Sequence, residues 1–403
     1  MDTTPKSLSR IYATLPRPDS IRLLELEPAA NNQEPLRGSL VVTTLEEIIS
    51  DVTMGYTALS YAWGNPAQAG SIVLRGCDVG ITANLARALT DIRHTSRVTF
   101  IWADALCINQ QDNDERSRQV RIMGDIYRRA ASTIIYLGPL MPNSLCLFRH
   151  IAAMNLKHLQ LQSLNRSQRH IIQPLLPNAP LPSNPDSSSG LGPLFEGGSL
   201  ASCGSELDSE QLALAIDEVC SSEWFTRAWV FQELVLSVDP RIQCGRMLAR
   251  WSDVADVVEA NTKTDRKQTP TAEELKIDVF LEMNKASNGK GRNTLSNLIR
   301  ARAGARVTDP RDFFYCLMGI ADDRQEWEGV IQMDYSVSAR SLYTLVAREM
   351  FYRGETSLKN LLAQIAAKQE SPAIDRLATS SLLPSWVYDW EILAPPGVRR
   401  PSE

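Results

Sequence analysis

Two stretches of the chain concentrate residues whose types and spacing could do chemistry. In "EWFTRAWVFQEL", helical spacing would put Trp229 and Glu233 one turn apart, with Phe225 a turn before them. An indole face and a carboxylate placed this way could hold a flat ring and a ribose together. The alternative is an amphipathic helix whose Trp229 lies in the core and whose Glu233 pairs with Arg227 or a surface lysine. Burial of Glu233 would favour the functional interpretation, because carboxylates are rarely buried without a partner.

The second stretch, "FIWADALCINQQDNDERSRQV", changes from an apolar run into a polar helical pattern. Asp104 at the end of the run could bind a ribose hydroxyl, a metal ion or an arginine, or it could simply stabilise a turn. Cys107 is expected to fill space in the core, because no histidine stands nearby to activate it. The acids that follow are predicted to cap the next helix: Asp112, Asp114 and Glu115.

A third candidate is "SYAWG", which places Trp63 and Gly64 at the end of another short apolar run. A tryptophan before a glycine at such a position usually packs beside a turn that needs the backbone freedom of glycine. Ser60 in the same segment has no apparent base. The chain contains neither G-x-G-x-x-G nor a Walker A motif, so classical dinucleotide or P-loop binding finds no support.

The segments that must position these residues alternate between strand and helix patterns. Strands are predicted at "YTALSY", "VTFIWADA" and "STIIYLGP", with helices at "TANLARALTDIRH" and "DNDERSRQVRIMGDIYRRA" between them. This βαβαβ order predicts a parallel sheet. Before it, "SIRLLELEP" and "SLVVTTLEE" predict an N-terminal β ribbon, and "SIVLRGCDVGIT" predicts a hairpin. Ligands bind outside the carboxyl ends of parallel strands, so we expect Trp63, the residues from Asp104 to Asn109, and Gly138 to meet at one edge.

The rest of the chain divides by composition. Residues 174–205 are mostly Pro, Ser and Gly and are predicted to form a flexible surface insertion. Helical periodicity returns after them, with a break near Ser221 and Ser222. From about Asp239 the chain is predicted to be mostly helical. We therefore expect a tail over 1–19, an α/β domain over 20–238 and a helical region over 239–403.

Composition disfavours several classes of protein. The net charge is −5 with acids and bases well mixed, so no basic surface marks a nucleic-acid partner. Seven cysteines without a C-x-x-C pair and only four histidines argue against a disulfide framework, a zinc site and a Ser-His-Asp triad. No run approaches the ~20 apolar residues that span a bilayer, so we expect a cytoplasmic protein without a membrane partner. A metal-dependent phosphodiesterase built on Asp104, Asp112 and Asp114 is one further alternative.

Five segments occur together in the order typical of the heterokaryon incompatibility (HET) domain of filamentous fungi: "YTALSYAWG", "ITANLARAL", "IWADALCINQQDNDERSRQVRIMGDIYRRA", "IIYLG" and "WFTRAWVFQE". The resemblance covers roughly Ser20 to Ser237, with "WADAL" where the family more often has "WIDAL". "DPRDFFYCLMGIADD", "MDYSVSARSLY" and "LPSWVYDWE" resemble the region that follows the domain. The chain ends soon after a segment that usually continues in the family, so we expect it to be a fragment. The resemblance implies a role in programmed cell death after non-self recognition.

HET domains are in turn similar to TIR domains, which implies a TIR-like, flavodoxin-like parallel sheet flanked by helices. "RAWVFQEL" resembles the TIR helix in which a tryptophan precedes the catalytic glutamate. On this mapping Glu233 is the catalytic residue for hydrolysis of NAD at the nicotinamide–ribose bond. NAD is then a substrate, and we expect no cofactor and no metal. The residues expected to bind the substrate are Trp63, Gly64, Asp104, Asn109, Arg227 and Trp229.

A single carboxylate suits this reaction. Glycosidases commonly use two, one of them to protonate the leaving oxygen. Nicotinamide leaves NAD as a neutral molecule from a cation, so one carboxylate that stabilises the developing positive charge is sufficient. The competing hypothesis is a non-enzymatic cell-death module that acts by self-association or partner binding. A homo-oligomer and an upstream recognition protein are the expected protein partners.

Overall fold

The computed structural model describes residues 11–50, 55–65, 69–164, 209–262, 272–289, 291–302 and 305–353. Within these residues, one nine-stranded mixed sheet forms the centre of an α/β fold, as the sequence predicts. The strands are β1 (Ser20–Leu26), β2 (Arg37–Thr44), β3 (Thr57–Tyr61), β4 (Ala69–Leu74), β5 (Cys77–Thr82), β6 (Thr99–Trp102), β7 (Ser132–Gly138), β8 (Pro240–Cys244) and β9 (Met247–Arg250). The predicted insertion over 174–205 and the segment "LPSWVYDWE" lie outside the described residues.

Four strands form a parallel core in the order β6-β3-β7-β8. Numbered along the chain, this order begins the flavodoxin-like arrangement 2-1-3-4-5. The predicted βαβαβ pattern is confirmed, because helices lie between β3 and β6 and between β6 and β7. The carboxyl ends of β3 and β6 therefore lie side by side at one edge of the sheet.

Antiparallel strands extend the sheet on both sides of this core. β1 and β2 form the predicted N-terminal ribbon, and β1 also pairs with β6, so the ribbon continues the sheet. β4 and β5 form the predicted hairpin, whose two-residue turn has Arg75 at φ 49° and Gly76 at φ 79°, as a type I′ turn requires. On the other side, β8 and β9 pair with each other, and β8 pairs with β7. These two strands were not predicted, since the sequence from about Asp239 reads as mostly helical.

The helices are α1 (Leu45–Ser50), α2 (Ala83–Ile92), α3 (Asp104–Cys107), α4 (Asn113–Arg129), α5 (Pro142–Leu164), α6 (Ser209–Cys220), α7 (Trp229–Val235), α8 (Trp251–Asn261), α9 (Ala272–Ser287), α10 (Leu295–Ala301), α11 (Asp312–Met318), α12 (Arg324–Trp327) and α13 (Ala339–Tyr352). Thr82 and Asp112 cap α2 and α4 with side-chain oxygens that accept backbone N–H groups, and the cap at Asp112 was predicted. None of the described helices is long and apolar enough to cross a membrane.

The sheet carries a hydrophobic core on each face. Alternate residues of β7 show this, because Ile134 and Tyr136 belong to one core and Ile135 to the other. The first core packs β1 to β6 against α2 and α4. The second packs β7 and β8 against α7 and the C-terminal helices, including α11 and α13. The C-terminal region therefore shares its core with the sheet.

The segment "EWFTRAWVFQEL" is not one continuous helix. Phe225 lies in a 3₁₀ turn, and α7 begins at Trp229, so the prediction that Phe225 shares a helix with Trp229 and Glu233 is wrong. The break arises because Arg227 takes an extended backbone conformation and pairs with Arg306 in a parallel β bridge. Trp229 and Glu233 remain one turn apart on α7.

A buried ion pair fixes the turn that follows β6. Arg22 of β1 donates to both carboxylate oxygens of Glu115, at 2.6 and 2.9 Å, and both side chains are buried. One of these oxygens also accepts the N–H of Asn109 at 2.7 Å. Glu115 therefore links β1, the turn and α4. The sequence predicts only a helix-capping role for this residue. Cys107 is fully buried, as expected of a thiol that fills space.

Candidate active site

A cavity of about 780 Å³ opens at the carboxyl ends of β3 and β6. Its volume is typical of sites that bind small molecules. Five of the residues predicted from the sequence line it: Trp63, Asp104, Arg227, Trp229 and Glu233. The opposite wall comes from the C-terminal region, through residues 306–312 together with Tyr335, Ser338 and Ala339. The cavity is thus shared between the α/β domain and the region after it.

Glu233 is held in place by contacts from three elements. Its side chain is buried on α7, with the residue only 4% exposed. The hydroxyl of Ser60, near the carboxyl end of β3, donates to Glu233 Oε2. Ser60 Oγ in turn accepts the indole N–H of Trp224 at 2.6 Å. The buried Tyr127 of α4 lies beside the same carboxylate and donates its hydroxyl hydrogen to the carbonyl of Leu59. These contacts fix the carboxylate before any ligand enters.

Burial dominates the protonation of Glu233. Removal from water raises the pKa of this carboxyl from 4.5 to about 7. The positive charge of Arg227 and the hydrogen bond from Ser60 act in the opposite direction, whereas the nearby Asp104 raises the pKa further. A carboxyl group with such a pKa changes between acid and carboxylate close to neutral pH, which is a common property of catalytic groups.

Asp104 forms the adjacent part of the wall with Trp63. The indole N–H of Trp63 donates to Asp104 Oδ2 at 3.0 Å, and the N–H of Ala105 donates to Oδ1 at 2.7 Å. Burial raises the pKa of Asp104, while Arg227 and these hydrogen bonds lower it. Trp63 itself is 38% exposed, so its indole presents an aromatic surface at the cavity mouth.

Trp229 lies where the α/β domain and the C-terminal region both line the cavity. It is half-buried on α7 and lies beside Asp312 of α11. Burial raises the pKa of Asp312, and the neighbouring indole of Trp229 acts in the opposite direction. The hydroxyl of Tyr335 donates to Asp312 Oδ1 at 2.6 Å. The C-terminal region therefore fixes the orientation of the indole that lies one turn from Glu233.

Two arginines lie side by side where the C-terminal region meets α7. Arg227 and Arg306 form the parallel bridge, and the N–H of Ala228 donates to the carbonyl of Arg306 at 3.0 Å. Both side chains line the cavity. The buried Arg302 donates to the carbonyls of Phe225 and Arg227, at 3.1 and 2.5 Å, and so holds the extended segment before α7.

Two residues predicted to bind the substrate lie outside the cavity walls. Asn109 uses its backbone N–H to bind Glu115, and its side chain accepts the N–H of Gln111 at 3.2 Å. Gly64 has φ 71°, and a Cβ there would lie 2.5 Å from Asn84 Nδ2, so the glycine lets a turn pass close to α2. The structure thus places both residues in turns that support the wall.

Other residues at the site were not predicted. Ser60 was set aside for lack of a base, yet a polar residue inside a buried strand was a signal that it needs a partner. Tyr127 lies in a segment that was predicted only to be helical. Arg306 and Asp312 carried no local signal, because their role depends on contacts with a segment about eighty positions earlier in the chain.

The described part of the chain contains no group of three His, Cys, Asp or Glu side chains that could hold a metal ion. Asp112 instead caps α4, and Asp114 is exposed in the first turn of that helix. The metal-dependent phosphodiesterase alternative therefore has no assembled site among these residues.

One known protein family matches part of this chain. The profile described as "Heterokaryon incompatibility protein (HET)" matches residues 56–233. This segment of the chain is therefore similar to the HET domain. The chain is also 25% identical over 411 residues to heterokaryon incompatibility protein 6, OR allele, of Neurospora crassa. That alignment covers 92% of the chain and 57% of the relative, so the chain spans little more than half the length of that protein. No solved structure matches the chain significantly.

The segment that matches the HET family ends at Glu233, but residues after this segment also line the cavity. Residues 306–312 and Tyr335 complete the wall opposite Glu233 and lie beyond the matched segment. The alignment with the Neurospora protein covers nearly all of this chain, which includes the C-terminal region. The HET segment and that region thus form one structural site.

Proposed function

We propose that this protein cleaves NAD at the bond between nicotinamide and ribose, with Glu233 as the catalytic carboxylate. The observation that carries the proposal is the position of Glu233, which is buried at 4% exposure and yet lines a cavity large enough for a nucleotide. Trp229, one turn away on α7, lines the same cavity. The parallel strand order and the tryptophan-to-glutamate spacing support a TIR-like arrangement.

The chemistry assigns a separate task to each of two side chains on α7. The indole of Trp229 offers a flat apolar face for an aromatic ring. The ionised carboxylate of Glu233 stabilises the positive charge that develops on the ribose as the C–N bond to nicotinamide breaks. The bonding electrons leave with neutral nicotinamide. Water then adds to the ribose carbon and releases one proton, which leaves ADP-ribose as the other product.

The non-enzymatic alternative predicts a different orientation of α7. A helix that serves only for self-association has no need to bury a carboxylate, and Glu233 would then face open solvent away from Asp104. Instead Glu233, Trp229 and Asp104 line one concave surface. This arrangement favours the enzymatic proposal.

The HET domain and the incompatibility relative support a biological role in heterokaryon incompatibility, in which cells die after non-self recognition. In the proposed scheme, NAD loss is the route to cell death. Self-association and an upstream recognition protein would control when the site acts.

The test is direct detection of the product. The purified full chain, with its assembly state measured by light scattering, is incubated with NAD, and nicotinamide is quantified by chromatography. We expect nicotinamide and ADP-ribose to appear in equal amounts, while heat-denatured protein gives none. An assembled, folded protein that releases no nicotinamide would contradict the proposal.

A further inference from the structure

We propose that Arg227 and Arg306 together form an anion-binding clamp, so that the ligand of this cavity carries a phosphate or diphosphate group. Arg227 belongs to the HET segment, and Arg306 belongs to the C-terminal region. The clamp deepens the proposed function and rests on it for the identity of the substrate, because NAD contains a diphosphate. Its binding test, however, needs no turnover.

The geometry of the bridge carries the proposal. Residues paired across a β bridge project to the same side of the backbone, and both of these arginines line the cavity. Two like charges in this position repel each other unless an anion lies between them. Hydrogen bonds from Arg302 and Ala228 hold the two backbones together, so the two arginines start from adjacent positions.

The guanidinium group of Arg306 is poorly compensated within the described residues. Its Nε is buried without a hydrogen-bond partner, and its one ion pair is to the exposed Glu223 at 3.8 Å. Arg227 donates to the carbonyl of Tyr61, and its charge acts on Asp104 and Glu233. The Arg306 side chain as a whole is 32% exposed, so a phosphate that enters the cavity can reach its terminal N–H groups.

The other arginines of the cavity differ from this pair. Arg311 is held on both sides of its guanidinium group by Asp309 and by the carbonyls of Tyr335 and Val337. Arg311 therefore has a structural role in the wall of the cavity, because its guanidinium group is already paired. Arg116 lies exposed at the mouth, where its charge acts on Asp309. Among the described arginines that line the cavity, only Arg227 and Arg306 are paired with each other across a β bridge.

Phosphate is the ligand chemistry that this arrangement fits. A guanidinium group presents N–H donors in a planar fork that matches two phosphate oxygens, and charge-assisted hydrogen bonds of this kind are strong. Two adjacent forks suit a diphosphate. With the diphosphate held there, a linked ribose would extend towards Glu233 and its base towards Trp229.

The experiment measures binding of ADP and adenosine to the full chain by isothermal titration calorimetry. Adenosine is the phosphate-free comparator. The variants are Arg306→Gln, Arg306→Lys and the control Arg324→Gln, which removes an exposed arginine of α12 paired with Glu328. Thermal unfolding of each variant establishes that it is folded, which we expect because the bridge uses backbone groups.

The wild-type chain should bind ADP at least tenfold more tightly than adenosine, and inorganic pyrophosphate should compete with ADP. Arg306→Gln should weaken ADP binding by about 10- to 100-fold and leave adenosine binding nearly unchanged. Arg306→Lys should retain part of the preference, and Arg324→Gln all of it. A wild-type chain without preference for ADP, or pyrophosphate that fails to compete, would overturn the clamp. So would a folded Arg306→Gln variant with wild-type affinity for ADP.

The same variants separate this inference from the proposed function. If ADP binding depends on Arg306 but the wild-type chain releases no nicotinamide from NAD, the clamp stands and the NAD-cleavage proposal fails. If nicotinamide is released and Arg306→Gln leaves the KM for NAD unchanged, the clamp fails and the cleavage proposal stands.

Discussion

Ser60 and Glu233 are 173 positions apart in the chain, and the hydroxyl of one donates to the carboxylate of the other inside the protein. The bond joins the carboxyl end of β3 to α7. This contact holds the proposed catalytic group in position and lowers its pKa against the larger, opposite effect of burial.

The proposed reaction should depend on pH through Glu233. Its pKa is about 7, and the ionised form is the one that stabilises a positive ribose, so the rate at saturating NAD should rise as pH increases through about 7. Ser60→Ala removes a hydrogen bond that lowers this pKa, so the midpoint should move upward by roughly one unit. The matched control is Ser132→Ala, near the opposite end of the neighbouring β7. Identical pH–rate profiles for Ser60→Ala and wild type would contradict this role of Ser60.

Glu233→Gln should stabilise the fold at neutral and alkaline pH. Between pH 4.5 and about 7 the folded wild-type chain keeps a proton that the unfolded chain has lost, so its free energy of unfolding falls as pH rises through this window. Glutamine has no such ionisation. The stability advantage of the variant should therefore grow with pH and reach about 3 kcal/mol above pH 8. Chemical denaturation at pH 5 and pH 8 measures this difference in the free energy of unfolding. If the variant has the same advantage at both pH values, burial does not raise the pKa of Glu233.

The buried pair between Arg22 and Glu115 should contribute strongly to stability. Glu115→Ala leaves the Arg22 guanidinium buried without its partner, and loss of one member of a buried pair costs about 3–5 kcal/mol. Asp114→Ala, on the exposed side of the same helical turn, is the control and should cost less than about 1 kcal/mol. Urea denaturation compares the two. Equal losses for the two variants would mean that the Arg22 pair is unimportant.

Part of this site could be predicted from the sequence because its signals are local. The spacing of Trp229 and Glu233 needs only one helical turn, and the position of Asp104 follows from the end of a strand. Ser60 and Arg306 could not be placed in this way, because their partners come from distant segments. The break at Arg227 was missed for the same reason, since the bridge to Arg306 overrides a helical pattern that is strong by itself.

The strands also differ in whether local sequence patterns or distant contacts determine them. β1 to β7 could be predicted from alternating apolar patterns and from turn residues. β8 and β9 are only five and four residues long, and they are stabilised by pairing with β7 and with each other. A local pattern of that length carries little information against a helical background. Their presence means that the predicted boundary at 238/239 falls inside the sheet.

A chain truncated after Ser237 should not fold cooperatively. The truncation removes β8, which pairs with β7. It also removes C-terminal side chains that pack on the 3₁₀ turn before α7, such as Phe280, whose ring lies 5.8 Å from that of Phe225. We expect a low soluble yield and no cooperative thermal transition, whereas the full chain should show one. A soluble, cooperatively unfolding 1–237 fragment would show that the HET segment forms its core alone.

The most direct test of the central claim is kcat for nicotinamide release, measured at saturating NAD and pH 8 for the wild-type chain and for Glu233→Gln side by side. The variant keeps the shape of the side chain and removes only its charge. We predict that the wild type releases nicotinamide and that kcat of the variant is lower by at least about 100-fold. A loss of this size is expected when the charge that stabilises the transition state is removed. Equal kcat values for two folded proteins would contradict the assignment of Glu233 as the catalytic carboxylate.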